Sequence, residues 1–210
     1  MNIIDQWVND IPVMSVVSDK NISLICPHTA DIAALPMLNI GCGTHIMEGW
    51  VNSDVRSNPG VDCVFDSQYR WPFADHSVKS IYASHVIEHL DNPEAFFDEA
   101  LRCLHPQGAL LIRIPHPMHT HSMGDLDHKR TIPLETFFWL GMKGDETHNL
   151  KHLGKQRRFI PKVILHVYND GSIFNHWFVP KAVKRWCVNH LWNTCMELIV
   201  WLKPQVQVQS

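Results

Sequence analysis

A glycine-rich turn and a later carboxylate are the first residues along the chain whose types and spacing could bind a ligand. The stretch LNIGCG, residues 38–43, is a short apolar run that ends in Gly41 and Gly43. Glycines at the end of a strand let the backbone turn sharply and approach a ligand closely. Asp54 closes the next predicted strand, where a carboxylate can accept both hydroxyls of a ribose. The pattern favours a nucleoside-bearing ligand, and the alternative is an ordinary turn followed by a surface aspartate.

The segment HVIEHL, residues 85–90, groups three side chains that can bind a metal ion or move a proton. His85, Glu88 and His89 are spaced i, i+3 and i+4, so on a helix they would share one face. The segment lies between a predicted strand and a predicted helix, and the spacing alone does not establish helical geometry. We therefore predict that this segment binds no metal ion. If an ion does bind, we expect Glu88 and His89 to be its ligands.

A second polar segment, GDLDHKR at residues 124–130, follows the fifth predicted strand. His128 could take a proton from a substrate hydroxyl or amine, and Arg130 could hold a carboxylate or phosphate. The alternative is that both residues only hold the loop in place. The loop also carries histidines that could complete a metal site, at positions 116, 119, 121 and 128. We favour a mobile lid over residues 115–131 that orders when ligands bind.

Short apolar runs predict the sheet that must position these residues. The predicted strands are residues 37–40, 49–54, 61–66, 80–85 and 109–114, and a helix capped by Asp91 or Asn92 precedes the last of them. Continuous apolar strands separated by crossovers form mostly parallel sheets that are covered on both faces. We predict an α/β protein, with a Rossmann-like doubly wound sheet of about seven mostly parallel strands and helices on both faces.

The remaining segments give weaker patterns. We predict a short helix over residues 134–142, two strands around the turn Asn169-Asp170-Gly171, a partly helical stretch over 181–202, and an edge strand over 205–209. Residues 1–36 are apolar but show no clear period. The predicted organisation is an N-terminal extension over residues 1–36, packed on a single domain over 37–210 in which residues 115–150 form a substrate-side loop or lid.

Composition and charge exclude several classes of function. The net charge is −3 with histidine neutral, which argues against binding to duplex DNA. The six cysteines are scattered, as in a reduced cytoplasmic protein. No apolar run is long enough for a transmembrane helix, and the first residues do not resemble a secretory signal. We expect a cytoplasmic protein with a small-molecule substrate and no membrane partner, and a homodimer could form through the N-terminal extension.

The order of these segments resembles the class I S-adenosylmethionine-dependent methyltransferases, and most closely the branch called methyltransferase type 11. The resemblance runs from about Met37 to Pro115 and rests on LNIGCG, GWVNSDV, VDCVFD, HVIEHL and LHPQG, which follow one another in the family's order. Gln107 replaces the first glycine of the family's LxPGG turn. The segment over residues 124–137 resembles the element that follows strand five in many type 11 enzymes and forms the substrate side of the cleft.

The resemblance implies S-adenosylmethionine as cofactor and assigns roles to individual residues. The implied cofactor-binding residues are Gly41 and Gly43 at the methionine part, Asp54 at the ribose, Asp66 and Ser67 beside the adenine, and His85 facing the reaction centre. The predicted catalytic residues are His128 as the preferred proton acceptor, His85 as the reserve, and Arg130.

The function that we expect from this resemblance is transfer of a methyl group to an oxygen or nitrogen of a small metabolite or sugar. Two alternatives stay open. One is a binding or structural protein that keeps the methyltransferase fold without turnover. The other is a metal-assisted RNA-end methyltransferase, because plant small-RNA 2′-O-methyltransferases hold a divalent ion with a similar Glu/Glu/His element.

Overall fold

The computed structural model describes residues 13–15, 32–141, 159–168, 172 and 178–204. The strands are β1 (Val13–Ser15), β2 (Met37–Ile40), β3 (Val51–Asp54), β4 (Cys63–Val64), β5 (Val78–Ser84), β6 (Leu104–Pro115), β7 (Phe159–Val167) and β8 (Glu197–Pro204). The helices are α1 (Pro93–Cys103), α2 (Thr120–Gly124), α3 (Glu135–Trp139) and α4 (Lys181–His190).

The strands form one sheet in the order β1-β7-β8-β6-β5-β2-β3-β4. β8 is antiparallel to its neighbours β6 and β7, and the other pairs are parallel. The predicted doubly wound α/β fold is therefore confirmed. The sheet has eight strands in place of about seven, because Val13–Ser15 of the predicted N-terminal extension pairs with β7 at the sheet edge. The proposed boundary between extension and domain stays a prediction.

Alternating residues of the central strands bury the two faces of the sheet in two apolar clusters. On β6, Leu110 and Ile112 belong to one cluster, and Ala109 and Leu111 belong to the other. Successive side chains of a strand point to opposite faces, so the sheet has an apolar layer on each side. A near-continuous run of buried residues on β5 and β6 follows from this double coverage.

Helix α1 packs its apolar side into the larger of these two clusters. Asn92 caps the helix by accepting a hydrogen bond from the Ala95 N–H at 3.3 Å, and Pro93 occupies the first turn. These are standard signals for a helix start. Phe96 and Phe97 are buried on the inner side of the helix. The predicted helix is therefore confirmed, and Asn92 is its cap.

The C-terminal half holds the main differences from the predicted elements. The predicted partly helical stretch divides into α4 and the strand β8, which lies buried between β6 and β7. The predicted strand over residues 61–66 shortens to Cys63–Val64. The turn Asn169-Asp170-Gly171, most of the predicted strand after it, and the predicted edge strand over 205–209 lie outside the described residues.

Candidate active site

The candidate site lies at the edge of the sheet where the parallel strands end. Ile40 pairs with Ser53 and with Ala83, so β2, β3 and β5 end side by side. β8 runs in the opposite direction, and its first residue, Glu197, pairs with Pro115 at the end of β6. Ligands of open α/β sheets bind at this carboxyl edge. The glycine turn, the acid and the histidine segment are therefore brought together, although they are far apart in the sequence.

The two glycines of the turn after β2 share a backbone conformation that favours glycine but differ in their surroundings. Gly41 and Gly43 both have a left-handed backbone, with φ values of 64° and 53°. A Cβ atom on Gly41 would lie 2.4 Å from Cγ2 of Val86, whereas a Cβ on Gly43 would meet no atom of the described residues within 4 Å. Gly41 thus permits close packing against the segment after β5, and Gly43 borders open space.

Asp54 is bonded to the glycine turn and keeps acceptor capacity for a ligand. Its Oδ2 accepts a hydrogen bond from the Gly43 N–H at 2.8 Å, and its Oδ1 accepts one from the Arg56 N–H at 2.9 Å. A carboxylate offers about four lone-pair sites, so about two remain. The residue is half-buried at the end of β3. This arrangement can accept the two hydroxyls of a ribose.

A network of asparagine amides holds the short connection between β2 and β3, where no crossover helix intervenes. Asn52 Oδ1 accepts hydrogen bonds from Asn39 Nδ2 at 2.9 Å and from the Met47 N–H at 2.8 Å. Asp62 accepts a hydrogen bond from the Asn52 N–H at 2.8 Å. Because Asn39 and Asn52 are buried, these bonds satisfy groups that would otherwise be costly to bury.

Asp66 and Ser67 lie in a turn that is bonded to the start of α1. Asp66 Oδ1 accepts a hydrogen bond from the Gln68 N–H at 2.9 Å, and the carbonyl of the buried Ser67 accepts one from Trp71 Nε1 at 3.0 Å. The Gln68 Oε1 in turn accepts from the Asp91 N–H at 2.7 Å. The turn is well fixed, and the placement of Asp66 and Ser67 beside the adenine stays a prediction.

His85 lies between two carboxylates at the end of β5. Its Nε2 is 3.1 Å from Glu197 Oε1, and its Nδ1 is 3.3 Å from Glu88 Oε1. The backbone of His85 is left-handed, with a φ of 54°. Burial would lower the pKa of the imidazole, but the carboxylates of Glu197 and Glu88 raise it to about 9. At neutral pH the ring is therefore a cation.

Comparison with protein families identifies the family to which the chain belongs. A family model described as a methyltransferase domain matches residues 22–163. The chain belongs to this methyltransferase domain family. It is an S-adenosylmethionine-dependent methyltransferase, as the resemblance of its motifs predicts.

Solved structures share the fold of this methyltransferase. An S-adenosylmethionine-dependent methyltransferase from Archaeoglobus fulgidus is 17% identical, with a TM-score of 0.54 over 80% of this chain and 86% of that one. The cyclase SpnF is 14% identical, with a TM-score of 0.52 over 82% of this chain and 76% of that one. No curated protein sequence matches the chain. Because one of these neighbours is a cyclase, likeness of fold does not identify the reaction.

The residues around the glycine turn fit the cofactor. Gly43 borders open space where a methionine chain can approach the backbone, and the lone pairs that remain on Asp54 match the two hydroxyls of a ribose. In the methyltransferase these two residues would hold the cofactor, together with Gly41, whose lack of a side chain keeps Val86 close to the turn.

Glu197 and Arg113 belong to the site, although the sequence analysis did not single them out. Glu197 is buried, and its Oε2 accepts a hydrogen bond from Arg113 Nε at 2.6 Å. Burial raises the pKa of Glu197, but His85 and Arg113 together bring it below its usual value. Glu197 directly precedes the apolar run LIVWL. If that run had been recognised as a strand, the carboxylate of Glu197 would have been predicted to lie at the sheet edge.

The loop after β6 places His128 and Arg130 beside the segment that follows β5. The His128 Nδ1 lies 3.0 Å from the Ser122 carbonyl. The Arg130 Nη2 donates hydrogen bonds to the carbonyls of Leu90 and Asp91, each at 3.0 Å. These bonds hold the loop, in agreement with the alternative hypothesis that Arg130 only keeps the loop in place. The catalytic roles of both residues stay predictions.

The segment over residues 85–90 is a turn and not a helix. Its i, i+3, i+4 spacing therefore does not place all three side chains on one helical face. Glu88 and His89 nevertheless converge with His128, and one ligand atom from each lies within 4.8 Å of the others. The tertiary fold thus forms a cluster that the local spacing does not explain.

None of the helices in the described part of the chain is long and apolar enough to cross a membrane.

Proposed function

We propose that this methyltransferase transfers a methyl group to an oxygen or nitrogen of a small metabolite or sugar. The observation that carries the proposal is the charged group of His85, Glu197 and Arg113 at the sheet edge. Charged side chains can hydrogen-bond a polar acceptor and orient it, whereas an apolar carbon acceptor would gain nothing from them. A hydroxyl or amine is therefore the acceptor that this edge suits.

A small acceptor is favoured over a nucleic acid because neither the site nor the whole chain carries an excess of positive charge. The carboxylates of Glu88 and Glu197 are balanced by the cations of His85 and Arg113, and the net charge of the chain is −3. A groove that follows a phosphate backbone needs an excess of lysine and arginine. This charge balance supports a metabolite or sugar and speaks against the RNA-end alternative.

The residues of the site would bind and align the reactants. S-adenosylmethionine supplies a methyl group that is already electrophilic on its sulfonium. Asp54 and the glycine turn would fix the cofactor, and alignment of the acceptor can contribute several kcal/mol to the reduction of the barrier. His85, being protonated at neutral pH, is suited to orienting an acceptor and not to taking its proton.

Two measurements on the full chain test this proposal. Calorimetric titration with S-adenosylhomocysteine should give one binding site, and the Asp54→Ala variant should bind more weakly. Release of S-adenosylhomocysteine should then be measured with panels of hydroxyl and amino metabolites, sugars and short RNAs. Turnover with RNA alone would contradict the proposal. Tight cofactor binding without turnover on any panel would favour the fold without catalysis.

The proposal includes the cellular setting of the enzyme. We infer a cytoplasmic location, small-molecule partners without duplex DNA or membrane, and a homodimer through residues 1–36, most of which lie outside the described part of the chain. Sedimentation of the full chain at the mass of one protomer would contradict the dimer. Recovery of the protein in the membrane fraction of lysed cells would contradict the location.

A further inference from the structure

Glu88 carries a buried carboxylate whose charge the protein satisfies only in part. Its exposure is 2%, and among the described residues neither of its carboxylate oxygens has a partner with good hydrogen-bond geometry. The His85 Nδ1 lies 3.3 Å from Oε1, whereas Oε2 has no compensating group in the part of the chain that the structure describes. An ionised carboxylate is costly to bury unless it is paired or coordinates a metal ion. Oε2 is therefore an unused ligand atom.

Two histidines beside Glu88 are oriented as metal ligands are. The Nδ1 of His89 faces the Asp127 carbonyl at 3.2 Å, and the Nδ1 of His128 faces the Ser122 carbonyl at 3.0 Å. A carbonyl only accepts hydrogen bonds, so each Nδ1 must carry the proton when the ring is neutral, and each Nε2 then keeps a lone pair. Histidines that bind metals almost always donate their other N–H in this way. The Nε2 of His128 also lies 3.7 Å from the Asp125 Oδ2.

A backbone hydrogen bond holds the two parts of this cluster together. The Lys129 N–H donates a hydrogen bond to the Glu88 carbonyl at 2.8 Å. This bond fixes His128, the preceding residue, beside the turn that carries Glu88 and His89. The imidazole rings of His89 and His128 are 4.7 Å apart, and both histidines are half-buried. The cluster therefore does not depend on freely moving surface side chains.

We propose that Glu88, His89 and His128 bind a first-row divalent cation, with Zn²⁺ as the preferred ion. One ligand atom from each lies within 4.8 Å of the others. Ligands about 2.0–2.2 Å from a Zn²⁺ ion are closer together than that, so side-chain rotation must draw them in by roughly an ångström. Two histidines and one carboxylate form the ligand set of catalytic zinc sites, and the fourth position stays open for water or an acceptor oxygen.

The site adjoins the candidate reaction centre, since Glu88 contacts His85 directly. An ion there would occupy the Nε2 lone pair of His128. His128 could then not accept a proton from the substrate, which is the role predicted for it from the sequence. The ion could instead bind a hydroxyl acceptor and lower the pKa of that hydroxyl. Metal binding itself does not depend on which acceptor the methyltransferase uses, so it can be tested before any acceptor is known.

The test uses untagged full-length protein that has been stripped with a chelator. Zn²⁺ affinity is measured by competition with a chromophoric chelator, and Co²⁺ is added as a spectroscopic probe of coordination. We expect one equivalent of Zn²⁺, Co²⁺ absorption bands of a four- or five-coordinate site, and a melting temperature that rises with Zn²⁺ concentration. The Glu88→Gln and His128→Gln variants should each lose at least tenfold in affinity.

His121→Gln provides the matched control, because His121 lies in the same loop but outside the cluster. It should retain the stoichiometry and spectrum of the wild type. If Glu88→Gln fails to fold by circular dichroism, His128→Gln decides the result. Failure of the wild type to bind one equivalent, or equal affinity in His128→Gln and wild type, would overturn the proposal and leave His85 as the partner of Glu88. Equal losses in His121→Gln and His128→Gln would also overturn it.

Discussion

The two glycines of the cofactor turn offer a quantitative test of how the site is built. A Cβ atom at either position must adopt the left-handed region, which costs roughly 1–2 kcal/mol per residue. At Gly41 the Cβ would in addition lie 2.4 Å from Cγ2 of Val86, whereas at Gly43 it meets open space. Overpacking of this kind costs about 1–3 kcal/mol. We therefore expect Gly41→Ala to lower the free energy of unfolding by about 2–5 kcal/mol and Gly43→Ala by about 1–2 kcal/mol.

A double-mutant cycle identifies the contact that causes this difference. Val86→Ala alone should cost about 1.6 kcal/mol for the loss of two buried methyl groups. Combined with Gly41→Ala, it should remove the clash, so the double variant should be more stable than the sum of the single effects by about 1–3 kcal/mol. The same replacement combined with Gly43→Ala should be additive within about 0.5 kcal/mol.

Urea unfolding followed by tryptophan fluorescence measures all five variants, and calorimetry with S-adenosylhomocysteine measures a second property. Gly43→Ala should weaken cofactor binding by more than its small loss of stability suggests, because its new methyl group occupies the space beside the turn. Equal stability losses for Gly41→Ala and Gly43→Ala would refute this reasoning. Additivity of Gly41→Ala and Val86→Ala would also refute it, since the Val86 contact would then have no energetic role.

Three further changes test other parts of the site. Asp54→Ala should weaken S-adenosylhomocysteine binding by about 1.5–3 kcal/mol, since it removes charge-assisted hydrogen bonds; unchanged affinity by calorimetry would contradict the ribose assignment. His116 is buried, and burial lowers its pKa to about 4, so the unfolded chain takes up a proton below about pH 6.5 that the folded chain refuses. Stability should therefore fall by about 2 kcal/mol from pH 7 to pH 5 through this residue, and urea unfolding of His116→Gln should lack this part of the loss. Glu197→Gln should lower the free energy of unfolding by about 3–5 kcal/mol because it removes the buried negative charge that pairs with Arg113 and His85. The exposed Glu48→Gln should stay within about 0.5 kcal/mol; similar effects of the two would show that the buried pair is not important.

Elements whose signals are local could be predicted from the sequence. The apolar run before Gly41, the strand that ends in Asp54, and the Asn92 cap with Pro93 each depend on a few neighbouring residues, and each was found where predicted. The family and its cofactor could also be predicted, because the motifs follow one another along the chain in the order that is typical of the family. Parallel strands end at one edge of a sheet, so the general position of the site followed as well.

Contacts between distant side chains could not be predicted in this way, because they depend on how the strands are arranged in the sheet. Glu197 reaches His85 because β8 runs antiparallel to β6 and begins at the edge where β5 ends, and no local pattern encodes that register. His128 meets Glu88 and His89 because the Lys129 N–H bonds to the Glu88 carbonyl. The charge of His85 likewise depends on these partners. Contacts between residues far apart in sequence depend on strand order and loop path, which spacing along the chain cannot reveal.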